Sequence, residues 1–158
     1  MLNDLILNLQ DFVYHLPGAV QWLGLIAISA IPFVESYFGS AIGVIIGLNP
    51  VLAVALAVAG NIVSMLVFVL LADRGRRQLT SPDKEPKRRR LKKMFDRFGV
   101  PGVSLLGQAI LPSQLTSAAM VSFDASTRQV IIWQLVSICL WGVAFTVLAS
   151  LGVNLITG

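Results

Sequence analysis

The sequence predicts an all-α integral membrane protein. It should have about three transmembrane helices, two re-entrant hairpins in an inverted repeat, and amphipathic helices at the interface. Three observations lead there. Of 158 residues, 56% are hydrophobic and 13% charged, with a mean hydropathy of +0.79; a soluble domain carries about 25% charged residues. Uncharged stretches cover 12–34, 36–72, 98–123 and 129–158, and each exceeds the ~20 residues needed to cross a bilayer. Eleven of the twelve Lys and Arg residues lie within 73–98. The composition excludes disorder, and 1–158 is expected to form one membrane domain.

The basic segment sets the orientation. Residues 73–98 carry a net +7 and the rest of the chain −3. Lys and Arg beside membrane segments stay cytoplasmic. The expectation is therefore a plasma (inner) membrane protein with a cytoplasmic N-terminus, a cytoplasmic 73–98 loop and an external C-terminus. The run Lys87 to Lys93 reads as a topology determinant beside anionic headgroups rather than a nucleic-acid contact. Asp4 and Asp11, with no Lys or Arg before residue 16, do not make the n-region of a signal peptide.

Two amphipathic helices are expected. Over 2–13, Leu2, Leu5, Ile6, Leu9, Phe12 and Val13 form one stripe, opposite Asn3, Asp4, Asn8 and Asp11. Over 86–98, Leu91, Met94, Phe95 and Phe98 fall at i, i+3, i+4 and i+7 between Pro86 and Gly99, the pattern of a helix lying in the membrane surface.

Length breaks the apolar runs. A continuous helix over 36–72 would be ~55 Å long against a hydrocarbon core of ~30 Å. Asn49-Pro50 is the break, with Asn49 as cap and Pro50 in the first turn. Spans are expected near 16–32, 50–72 and 128–151. The piece 32–49 has two readings. It is a plain span with Ser36, Gly39, Ser40, Gly43 and Gly47 as a small-residue packing face, or a re-entrant hairpin reversing near Gly39 to Gly43. In 98–123, Pro112 separates two pieces too short to cross, and Gln108, Ser113, Gln114, Thr116 and Ser117 gather at the break. This is the second expected hairpin. Ser126 and Gln129 resemble a capping box opening the last span. An offset of 73 places Glu35 on Gln108, Ser40 on Ser113, Asn61 on Gln134 and Ser64 on Ser137. That reads as an inverted repeat with interrupted elements at matching places, as transporters use.

The run IPFVESYFGSAIGVIIGLNP followed by AVAGNIVSMLVFVLL resembles the small multi-drug export proteins, which are related to the DedA, or VTT-domain, membrane proteins. Pro32, Glu35, the Gly47 to Pro50 turn and Gly60-Asn61 match that family's first half. Gly99, Gly102 and Pro112 match its second hairpin. The family's arginine after the glutamate is Tyr37 here, its glycine-rich turn is Pro112 to Thr116, and Gln108 and Gln114 stand where DedA hairpins carry arginines. The resemblance implies movement of a lipid or amphiphile, such as a polyprenyl phosphate carrier, often with proton coupling.

The candidate substrate- or proton-binding residues are Glu35, Asn61, Gln108, Gln114 and Thr116. Glu35 is the one charge between Asp11 and Asp73. An intramembrane carboxylate is costly and tends to face a partner or pathway; otherwise it reaches water at a helix end or is hydrogen-bonded structurally. Asn61 lies mid-span and can bridge helices or meet a hairpin tip. Gln108, Gln114 and Thr116 either line the second hairpin or satisfy its backbone. Trp22, Trp133 and Trp141 read as interface or packing aromatics. With no paired carboxylates, one His15 and one Cys139, no enzyme, metal site or cofactor is expected. The expected partners are membrane lipids, with the chain acting as a homo-oligomer or as a subunit of a larger membrane complex, and no nucleic acid. Two functions stand open: a DedA-like transporter, or a non-transporting accessory subunit.

Overall fold

A computed structural model describes residues 2–75 and 86–157; the part of the basic loop at 76–85 lies outside the described residues. Every element described is helical: α1 (Leu2–Tyr14), α2 (Gly18–Ser29), α3 (Glu35–Ile45), α4 (Pro50–Gly75), α5 (Pro86–Leu106), a 3-10 turn (Gly107–Ala109), α6 (Ser113–Ser122) and α7 (Thr127–Thr157). Among the described residues, two helices are long and apolar enough to cross a membrane, Pro50–Gly75 and Thr127–Leu155. Only 28% and 33% of their most apolar windows are buried, so both present mostly apolar surface outward.

Local signals account for the boundaries. Asn49 caps α4, its Oδ1 accepting from the amides of Val51 (2.9 Å) and Leu52 (3.3 Å), and Pro50 takes the first position. Ser126 stands at the start of α7, its carbonyl accepting from Val130 N at 3.0 Å. Gly99 (φ 63, ψ −165) interrupts α5, so the amphipathic helix ends where expected and a second short piece follows. Pro112 (φ −53, ψ 151) precedes α6.

Three expectations are corrected. The segment 16–32 holds a helix of twelve residues, Gly18–Ser29, ~18 Å long. It starts after Pro17 and ends before Pro32, shorter than the span expected over 16–32. The reversal near Gly39 to Gly43 does not occur, because both glycines lie inside α3. A Cβ on Gly39 would collide with the Ser29 side chain, and one on Gly43 would come 2.7 Å from Ala53 Cβ and 2.9 Å from Leu25. These glycines permit close helix approach instead of making a turn. The chain reverses at Ala30 to Val34, where Phe33 adopts φ 75, and α2 and α3 form the hairpin. The third correction is the repeat offset. The ends of α2 and α5, the starts of α3 and α6, the ends of α3 and α6, and the starts of α4 and α7 differ by 77, 78, 77 and 77 residues. The helix boundaries are thus spaced by about 77 residues rather than 73, a spacing that does not pair Glu35 with Gln108.

The chain divides into two compact units, Met1–Val63 with Ile138–Gly158, and Ser64–Ser137. The first has a core of Val13, Leu25, Ile28, Ile42, Val44 and Ala53. Ile6 and Leu9 of α1 pack against it, while Leu5 and Phe12 of the same stripe stay exposed. Tyr37 and Phe38 stack with Phe145, with centroids at 5.3 and 5.8 Å. In the second unit Leu91, Val103, Met120 and Val130 are buried. Leu91, Met94 and Phe95 turn inward, whereas Phe98 stays exposed with the Arg97 guanidinium 5.0 Å from its ring centroid. Lys92 lies over the Phe123 ring at 5.1 Å and pairs with Asp96 at 3.5 Å. Thr127 donates to Asp73 Oδ1 at 2.8 Å.

Candidate functional site

Each unit joins one short-helix hairpin to pieces of α4 and α7, and each carries buried polar side chains. In the first unit, Glu35 opens α3 and is fully buried. Its φ is 54, the left-handed region that a residue with a Cβ enters at a cost of ~1–2 kcal/mol. Such strain persists only where the surroundings over-determine it, and it gathers at functional sites. The next turn holds α3 to α7. Ser36 Oγ donates to Ile138 O at 2.9 Å, and Ser40 Oγ donates to Gly142 O at 3.0 Å. Gly142 makes room for this approach, since a Cβ there would meet Val58 at 3.1 Å and Ser36 Cβ at 3.4 Å. Asn61 is fully buried on α4, beside Gly60, whose missing side chain admits the Ile26 carbonyl. Two open grooves in this unit, lined among others by Asp11 and Tyr14 and by Val54 and Thr146, do not include Glu35.

In the second unit the polar residues form a chain of contacts. Gln108 Nε2 donates to Gln134 Oε1 at 3.3 Å. Gln114 Nε2 donates to Ser64 Oγ at 3.4 Å, and Ser113 Oγ donates to Gln114 Oε1 at 3.4 Å. Ser137 Oγ donates to the Ser104 carbonyl at 2.7 Å. Thr116 turns back on its own hairpin, donating to Leu111 O at 3.1 Å, and lies against Gly107. Ser104, Ser113, Gln114, Thr116, Ser117 and Gln134 are fully buried, and Gln108 is 8% exposed. Buried polar groups need partners, and most of this seam finds them across the helices that the hairpin packs against.

The expected residues therefore fall into two sets: Glu35 and Asn61 in one unit, and Gln108, Gln114 and Thr116 in the other. Thr116 serves its own backbone, one of the two roles expected of it, while Gln108 and Gln114 reach to α7 and α4. Gln134 and Ser137 entered the sequence reading only as repeat partners. They lie three residues apart on one face of α7, and the same signal that marked Asn61, an amide inside an apolar run, marks Gln134. The glycine and serine spacing of α3 pointed to Ser36 and Ser40 as packing residues, and they also act as hydrogen-bond donors to α7.

No family model, curated protein or solved structure matches the chain.

Proposed function

We propose that the chain is a multi-pass membrane protein that moves a lipid or amphiphile, with Glu35 as a proton-coupling or substrate-binding carboxylate. In this reading α4 and α7 cross the bilayer. The α2–α3 hairpin and the hairpin of late α5 and α6 each enter and leave from one side. At ~18 and ~17 Å, α2 and α3 are each too short to cross alone, and interrupted backbone at membrane depth is tolerated where protein surrounds it. The observation that carries the reading is a fully buried carboxyl at a left-handed break between two short apolar helices. The DedA-like motifs agree with it. With two crossings, the N- and C-termini share a side, opposite the basic segment, which the positive-inside rule keeps cytoplasmic. Flipping of fluorescent polyprenyl or phospholipid substrates by the purified protein in proteoliposomes tests the reading.

A second reading, a non-transporting subunit of a larger membrane complex, draws on α1. That helix leaves Leu7 at 62% and Phe12 at 54% exposure, an apolar surface open to a partner. Gentle solubilisation separates the two: a homo-oligomer alone favours the transporter, and a stoichiometric larger partner favours the subunit.

A further inference from the structure

We infer that the Gln108–Gln134 junction binds the hydroxyl of a neutral lipid headgroup; this rests on the membrane-transport reading above. The two amides make one hydrogen bond, Gln108 Nε2 to Gln134 Oε1 at 3.3 Å. Their other ends, Gln108 Oε1 and Gln134 Nε2, are buried with no hydrogen-bond partner, and so is Ser104 Oγ. Gln108 is 8% exposed, while Gln134 and Ser104 are fully buried. Exchanging the oxygen and nitrogen of both amides leaves the same remainder, one free donor and one free acceptor. The Ser104 carbonyl accepts from Ser137, three residues along α7 from Gln134.

Buried orphan donors and acceptors are costly and rare in native structures. One group satisfies the two amide ends: a hydroxyl, which donates to Gln108 Oε1 and accepts from Gln134 Nε2. A phosphate oxygen only accepts, so it would leave Gln108 Oε1 unmet. Among the described residues, the hydrogen bonds here join two glutamines and two serines, all uncharged, which offer a desolvated anion no counter-charge. A hydroxyl at this place comes from a trapped water or from a lipid headgroup. Helices that face a bilayer meet lipid, and an uncharged headgroup ending in a hydroxyl, such as that of diacylglycerol, is the chemistry this junction matches.

The test uses the full chain in phosphatidylcholine vesicles, with photoactivatable diacylglycerol and, separately, photoactivatable phosphatidic acid of the same acyl chains. The expected result is light-dependent labelling by diacylglycerol of peptides from 104–117 and 130–138, with about tenfold less from phosphatidic acid, the loss that one or two hydrogen bonds represents. Gln108→Leu with Gln134→Leu removes both amide orphans and the bond between the amides at nearly constant shape, and should abolish that labelling. Selectivity in the unmutated chain decides the matter if the double variant fails to fold. Labelling elsewhere, equal labelling by phosphatidic acid, or unchanged labelling in a folded double variant overturns the inference and leaves a trapped water as the occupant. Specific labelling without flipping supports the inference and removes the transport reading. Flipping without labelling at the junction does the reverse.

Discussion

Gly47 and Asp124, 77 residues apart, both take a positive φ just past the end of a short helix. Each follows a short helix in the left-handed region, with φ 91 and 68. Each closes a paired C-terminal motif. Gly47 N donates to Val44 O (3.0 Å) and Leu48 N to Gly43 O (2.9 Å), while Asp124 N donates to Val121 O (3.2 Å) and Ala125 N to Met120 O (3.1 Å). Glycine suits this position and aspartate tolerates it. A Cβ at Gly47 would meet nothing within 4 Å, so Gly47→Ala probes conformation alone. It should destabilise by ~1–2 kcal/mol, and Asp124→Gly should stabilise by up to ~1 kcal/mol. Thermal unfolding in detergent reads both, and opposite signs are the expected outcome.

The close approach of α2 to α4 depends on Gly60. A Cβ there would overlap the Ile26 carbonyl, which is backbone and cannot turn aside. Gly60→Ala should cost at least ~2 kcal/mol. Gly18→Ala, where nothing lies within 4 Å, should stabilise by less than about 1 kcal/mol. A comparison of melting temperatures checks the pair, and equal effects would contradict the packing described.

The glutamine pair should behave non-additively. Gln134→Leu alone leaves the buried Gln108 amide without its partner, at a cost of ~1–3 kcal/mol, whereas changing both to Leu should be nearly neutral. A double-mutant cycle measured in lipid-free detergent should give a coupling of ~0.5–3 kcal/mol. Additive effects would mean that the two amides do not meet.

Breaks were more legible in the sequence than the meaning of what lies between them. Asn49-Pro50, Gly99, Pro112 and Ser126 each mark an observed boundary, because a cap, a proline or a left-handed glycine acts locally. Asn49 and Ser126 are themselves 77 residues apart, so the repeat could have been read from its caps. Aligning polar residue types gave 73 instead, by pairing Glu35 with Gln108. At 77, Ser36 falls on Ser113 and Ser40 on Ser117, all four buried. The glycines of α3 misled for a related reason. A glycine at i and i+4 serves a turn or a close helix contact equally well, and only the neighbours, here Ser29, Leu25 and Ala53, decide. The Gln108–Gln134 bond was out of reach, since it depends on how the hairpin packs against α7.

Topology separates two readings of the first hairpin. Single cysteines at Asn3, Lys84 and Thr157 in a Cys139→Ser background should react with a membrane-impermeant maleimide in a fixed pattern. Positions 3 and 157 should label from one side and position 84 from the other. Positions 3 and 84 labelling together would mean that one of the short helices crosses after all, as the span expected over 16–32 requires.

The role proposed for the buried Glu35 carboxyl depends on its ability to carry a charge and a proton. Glu35→Gln keeps the shape and removes the proton site, and a neutral amide is cheaper to bury than a carboxylate. The decisive measurement is flipping of a fluorescent polyprenyl or phospholipid in proteoliposomes, with and without a pH gradient, on the unmutated chain and on Glu35→Gln. The account predicts flipping that responds to the gradient in the first and loses that response in the second, with folding and insertion intact. Gradient-dependent flipping that survives Glu35→Gln would contradict the role given to Glu35, and no flipping by either protein would contradict transport by the isolated chain.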